Sequence, residues 1–198
     1  MEVALIDLLT QVPFYDRYLA ESLLPLVEEL TLYAIQFHHE PGYLDCAVFD
    51  RSPGLIDWVR NRRLLGRALR WSGKTMEYVL NWASLLLQFQ HSSPDVVHIQ
   101  WLPFLSRTRG ELWVIKYLQQ LEIPVVYTVH NYLPHNASHL HNTYQDLYLS
   151  LDHLIAHTET DRQRLISDFA VPDHKITIIP HGPLFFEQNN YSQGEARV

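Results

Sequence analysis

The apolar positions come in short unbroken runs separated by longer amphipathic stretches. Residues 3–8, 31–37, 46–49, 95–100, 124–129, 153–156 and 175–179 are runs rich in Val, Ile, Leu and aromatic residues, without polar alternation. That pattern predicts strands covered on both faces, as in a mainly parallel sheet. Between them, residues 17–30, 110–121, 143–151 and 160–169 repeat apolar positions with helical spacing. Residues 55–70 and 75–90 predict two more helices, broken near Ser72-Gly73. Thr158 or Thr160 supplies an N-cap for the 160–169 helix, with acids in its first turn. Strand and helix alternate throughout, so the expected fold class is α/β: a Rossmann-like, mainly parallel sheet with helices on both faces. In such sheets the ligand crevice lies beyond the carboxyl ends of the strands. The segments to inspect are 9–15, 101–107, 130–135, 157–159 and 181–183. Three of them hold four of the chain's twelve histidines.

At 198 residues the chain has the size of one domain. Its 47% hydrophobic content excludes disorder for most of the length. The single cysteine, Cys46, allows no internal disulfide and is expected to be a small buried hydrophobe. GxGxxG, Walker A, GxSxG and HExxH signatures are absent. No apolar run approaches the roughly 18 residues of a spanning helix. The N-terminus lacks the basic, apolar order of a leader, so a cytoplasmic location is expected.

Charge changes the picture. The net charge is −7, yet Arg60, Arg62, Arg63, Arg67, Arg70 and Lys74 fall within fifteen residues that contain no acid. Arg60, Arg63, Arg67, Arg70 and Lys74 follow a helical rhythm that puts them on one face. Like charges gathered so are best tolerated against an anion or an anionic membrane surface, the alternative being acids from elsewhere in this acidic chain. Nucleic acid is not an expected partner for so acidic a body.

Four segments resemble family 4 glycosyltransferases of the GT-B fold. Asp95-Val96-Val97-His98-Ile99-Gln100-Trp101 resembles that family's DVVHxHW strand. The stretch from Pro124-Val125-Val126-Tyr127-Thr128-Val129 through His130-Asn131-Tyr132-Leu133-Pro134-His135 is similar to PVVxTxHNxxPH. Asp152-His153-Leu154-Ile155-Ala156-His157-Thr158-Glu159 resembles ADxxIxxSE. Val171-Pro172-Asp173-His174-Lys175-Ile176-Thr177-Ile178-Ile179-Pro180-His181-Gly182 is similar to VPxxKIxVIPHG.

The resemblance implies an acceptor-side domain over residues 1–186, with 187–198 a polar tail or linker and the donor-binding C-terminal domain outside the chain. It implies a retaining transfer from a nucleotide-sugar to a glycan or lipid-linked acceptor, with no metal and no other cofactor. His130 would be the catalytic cleft histidine. Phe14, Tyr15, Trp101, Asn131, His135, Glu159, His181 and Gly182 would bind substrate. The chain alone would be inactive. The alternative is a non-catalytic subunit that recruits a donor-binding partner to a membrane or acceptor. One departure stands out: Thr10-Gln11-Val12-Pro13-Phe14-Tyr15 occupies the place of the glycine-rich loop that often follows the family's first strand.

From the residues alone, His98 is expected to be a hydrogen-bonded core residue and Trp113 a packing residue. Glu159 is equally a first-turn acid of its helix. His135, His139 and His141 lack a carboxylate that would complete a metal set.

Overall fold

A computed structural model describes residues 1–37, 39–40, 42–45, 50–51, 54–59, 66–133 and 138–181. Cys46, the strand expected at 46–49, Arg60, Arg62, Arg63, His135, Gly182, the 187–198 tail and the side chain of Arg67 lie outside the described residues.

The apolar runs form the strands β1 (Glu2–Asp7), β2 (Glu29–Ala34), β3 (Asp50–Arg51), β4 (Val96–Ile99), β5 (Val125–Thr128), β6 (His153–Ala156) and β7 (Ile176–Ile178). They build one sheet in the order β3-β2-β1-β4-β5-β6-β7, and every neighbouring pair is parallel. The helices are α1 (Pro13–Leu23), α2 (Arg67–Phe89), α3 (Gly110–Gln120), α4 (His141–Ser150) and α5 (Glu159–Phe169).

The two sheet faces bury different clusters. Ile6, Val97, Ile99, Val125, Tyr127 and Leu154 pack against apolar residues of α2 to α5, among them Trp82, Phe89, Ile115, Leu147, Tyr148 and Phe169. On the other face Val3, Leu5, Leu30 and Leu32 meet Ala20 of α1 and Leu44. Burial of this apolar surface is the main source of stability, at roughly 25 cal/mol per Å2 removed from water.

Two helix boundaries differ from expectation. The first helix starts at Pro13, whose fixed φ suits the first helical position, and ends before Pro25; it does not reach residue 30. The break expected at Ser72-Gly73 does not exist, because α2 runs through it as one helix of 23 residues. Residues 55–59 are not helical. Gly73 serves close approach: a Cβ there would lie 2.6 Å from Val59 Cγ2. The glycine is the place where the 54–59 segment lies against the helix.

Trp113 also departs from expectation. It is exposed on α3, stacked on Tyr117 at 5.4 Å. Thr158 is the N-cap of α5, its hydroxyl accepting from the Asp161 amide at 3.0 Å.

Glu111, in the first turn of α3, is a buried acid that ties α2 to the segment after β4. The Tyr78 hydroxyl and the Phe104 amide both donate to its Oε1. Burial raises its pKa from 4.5 to about 7. With a folded pKa above the unfolded one, its contribution is full below about 4.5 and is lost as pH rises through about 7. The E111Q variant keeps the acceptor and removes the titration. Relative to the native chain it should gain on the order of 3 kcal/mol between pH 4.5 and 7.5, measured by urea unfolding. An unchanged pH slope would mean that Glu111 does not titrate there.

Candidate functional site

Parallel strands end on one edge. There β4 to β7, adjacent in the sheet, deliver Gln100 and Trp101, His130, His157 and His181 within a few residues of their last paired positions. The register sets Thr128 beside Ile155. His130 and His157, each two residues further on, therefore face each other, with ring centres 5.3 Å apart. His157 and His181 are closer, at 3.9 Å. Ligand-capable atoms of His130, His157 and His181 all lie within 4.8 Å of one another.

Aromatic neighbours fix these rings. The Trp101 ring stacks on His130 at 5.0 Å and an interplanar angle of 2°. Tyr15 sits edge-on to all three imidazoles, at 5.1, 5.7 and 5.0 Å from His130, His157 and His181.

Hydrogen bonds orient the same rings from beneath. His130 Nε2 donates to Gln100 Oε1 at 3.1 Å, and Gln100 Nε2 lies 3.1 Å from His98 Nε2. His98 is also 2.8 Å from Thr128 Oγ1, the bonded core position expected of it. His157 Nδ1 donates to the Ile179 carbonyl at 2.9 Å.

Burial disfavours the charged form of two of these imidazoles. It lowers the His130 pKa to about 3, helped by the imidazoles of His157, His181 and His98. Burial, then His157, also lowers that of His181.

Tyr15 owes its place to the turn after β1. Asp7 Oδ2 accepts from the amides of Gln11 (2.5 Å) and Val12 (3.1 Å), and Thr10 takes a left-handed φ of 53°. Asp16 of α1 lies beside Asp7, and both are buried. Burial, then the neighbouring Asp7 carboxylate, raises the Asp16 pKa well above the usual carboxylate range. A carboxyl pair thus holds the position where the family often has glycines.

The other expected residues are placed as follows. Phe14 packs on Phe37 and Tyr43 at 5.5 and 4.9 Å, apart from the imidazoles. Asn131 is exposed, next to His130. Glu159 is engaged by Arg162 and Gln163 of its own helix, both at 2.7 Å. Arg70 and Lys74 line a cavity of about 520 Å3 together with Gln11, Trp71 and Arg107. Lys74 is paired with Asp57 at 2.7 Å and Glu77 at 3.0 Å, so part of the basic island is neutralised inside the chain. His141 bonds the Asp168 carbonyl at 2.8 Å and stacks on Phe169, a structural role.

An all-parallel sheet of this order, with its crevice at the strand ends, defines a Rossmann-like domain. Residues 26–182 match the family model Glycosyltransferase Family 4, and the chain belongs to that family. Among solved structures it is similar to Glycyrrhiza uralensis UGT73P12 complexed with glycyrrhetinic acid 3-O-monoglucuronide. The identity is 10% and the TM-score 0.60, over 92% of this chain and 48% of that one. It is also similar to a glycosyltransferase from Rickettsia africae ESF-5, at 16% identity and a TM-score of 0.53, over 91% of this chain and 42% of that one. These likenesses concern the fold, and the chain spans less than half the length of either structure. No curated protein matches it.

His98 yields a stability test. Burial lowers its pKa from 6.5 to about 4. With a folded pKa below the unfolded one, its contribution is full above about 6.5 and is lost as pH falls toward 4. Relative to the native chain, H98N should gain about 3 kcal/mol between pH 7 and pH 4 in urea unfolding. A slope identical to the native one would show that His98 charges freely in the folded state.

Proposed function

We propose that this chain is the acceptor-side half of a retaining glycosyltransferase that moves a sugar from a nucleotide-sugar to a glycan or lipid-linked acceptor. The observation that carries this reading is the convergence of Tyr15, Trp101, His130, His157 and His181 at one strand-end edge. An aromatic and imidazole floor suits a sugar: ring faces cover its apolar C–H surface, and neutral nitrogens bond its hydroxyls. His130 touches the transferred sugar. In this reading residues 1–186 are the acceptor-side domain and 187–198 a polar tail or the start of an interdomain linker. The donor half is a further domain or a separate partner; with a partner, the chain is the recruiting subunit of a split transferase.

The test uses the native protein from its host. Its mass and its copurifying proteins distinguish a two-domain polypeptide from a split enzyme. The same preparation is assayed for sugar transfer from a panel of nucleotide-sugars. H130A should lower kcat/KM by about 100-fold, the scale of one lost transition-state contact, with circular dichroism unchanged. A fully active H130A would remove His130 from the chemistry.

We further propose that the acceptor is presented at an anionic membrane surface on the cytoplasmic side. Leu69, Met76, Leu80 and Leu87 are exposed along α2, on the side opposite its buried Tyr78, Trp82, Leu85 and Phe89. That second apolar stripe gives the helix two faces to cover. An apolar cavity of about 290 Å3 opens between α2 and α3, lined by Val79, Trp82 and Trp113. Arg70 and Arg107, beside the neighbouring cavity, provide cations for an anionic acceptor group. No helix among the described residues is long and apolar enough to cross a membrane, so the contact would be peripheral. The L80D/L87D variant should no longer sediment with phosphatidylglycerol vesicles that retain the native chain. Undiminished sedimentation would overturn the membrane contact.

A further inference from the structure

We propose that His130, His157 and His181 form a binding site for a divalent transition cation of the zinc type, with a fourth coordination position open toward the strand-end crevice. Three imidazoles on three adjacent strand ends form a ligand set suited to zinc, copper or nickel.

The hydrogen bonds select the required tautomers. A carbonyl oxygen only accepts, so the Ile179 carbonyl keeps the His157 proton on Nδ1 and leaves the Nε2 lone pair free. That Nε2 is buried and has no hydrogen-bond partner among the described residues, in a side chain only 9% exposed. An unpartnered polar atom at such depth is costly unless something fills its position. His130 is fixed in the complementary way. Its Nε2 donates to Gln100 Oε1, which leaves the lone pair on Nδ1. Both contacts are of the kind that orients metal-bound histidines: the second ring nitrogen is tied to a carbonyl or amide oxygen.

Packing restrains the same set. Trp101 stacks flat on His130, and Tyr15 edges all three rings, so two of the ligands stand on a rigid floor. His181 is exposed and is the ligand free to adjust. Nitrogens around a tetrahedral zinc stand about 3.3 Å apart at Zn–N distances of about 2.0–2.1 Å. The ligand atoms now lie within 4.8 Å of one another, so binding a zinc requires the set to close by up to about 1.5 Å. The open position would take an oxygen donor, such as a water, a sugar hydroxyl or a phosphate.

The site uses the imidazoles of the proposed sugar floor, but its test reads metal binding alone and does not depend on sugar transfer. The untagged chain, stripped with a chelator and dialysed, is titrated with Zn2+ by calorimetry and with Co2+ in the visible region. One Zn2+ per chain with a Kd below 10 µM is expected, on the order of a 7 kcal/mol association. A tetrahedral Co2+ absorption band and a rise in Tm should accompany it. H181Q alters an exposed side chain, so its fold can be confirmed by circular dichroism. It should bind Zn2+ about 100-fold more weakly and lose the Co2+ band, since even outer-shell partners are worth 10–100-fold. No stoichiometric binding by the native chain would overturn the proposal. Weakening of less than tenfold in H181Q would overturn it as well, by placing any bound zinc at other histidines.

Discussion

Parallel strand pairing sets a geometric constraint on everything at the site. In an antiparallel sheet, residues after successive strands emerge on opposite edges; here β4, β5, β6 and β7 all end on one. The ladder then fixes their relative advance. Ile99 lies beside Tyr127, Thr128 beside Ile155, and Ala156 beside Ile178. Residues one to three positions beyond these pairs have no freedom to separate. A one-residue slip of β6 would turn His157 to the other face and remove it from Tyr15 and His130. The apolar packing of Tyr127, Leu154 and Ile176 against α3 to α5 prevents that slip. Core packing and site geometry are thus the same constraint seen from two ends of the strands.

Buried polar groups beside this ladder work against it. Glu111 resists ionisation and His98 resists protonation, each because burial disfavours its charged form. Their effects on stability oppose each other over nearly the same interval of pH. The Asp7–Asp16 pair adds a third desolvated site, where burial raises both carboxyl pKa values. Such groups contribute position more than stability. Asp7 closes the turn that carries Tyr15, His98 underlies Gln100 and His130, and Glu111 fixes the segment after β4.

Much of the second half was legible in the residues. The runs at 95–100, 124–129, 153–156 and 175–179 are the strands, because buried parallel strands have continuous apolar sequences. The rule that crevices lie at carboxyl strand ends pointed to His130 and His181. His157 also lies just past a strand end, yet its meeting with His130 depends on the register; their equal distance past a paired position was the available signal. Gln100 and Thr128 acquire roles only through contacts that no local pattern encodes. Around residue 73 the local signals misled. Ser-Gly normally marks a break, but here the glycine removes a Cβ that would collide with Val59. Helical spacing placed Arg70 and Lys74 on one face, but it could not show that Asp57 and Glu77 already neutralise Lys74.

Neutrality has a chemical consequence. Departure of a nucleoside diphosphate from a sugar concentrates negative charge on phosphate oxygens, and preorganised donors or cations must meet it. His130 is uncharged throughout the physiological range, and His181 is displaced in the same direction. Arg70 and Arg107 belong to a different cavity. His130 and His181 therefore bring no fixed positive charge to the floor. It can orient a sugar and accept or donate single hydrogen bonds. The charge has to come from outside the floor: from the donor half that the reading proposed above requires, or from a cation held by the imidazoles themselves. These sources differ in a way the residues can reveal. A donor half supplies charge whatever the state of His157, whereas a bound cation needs its unpartnered Nε2.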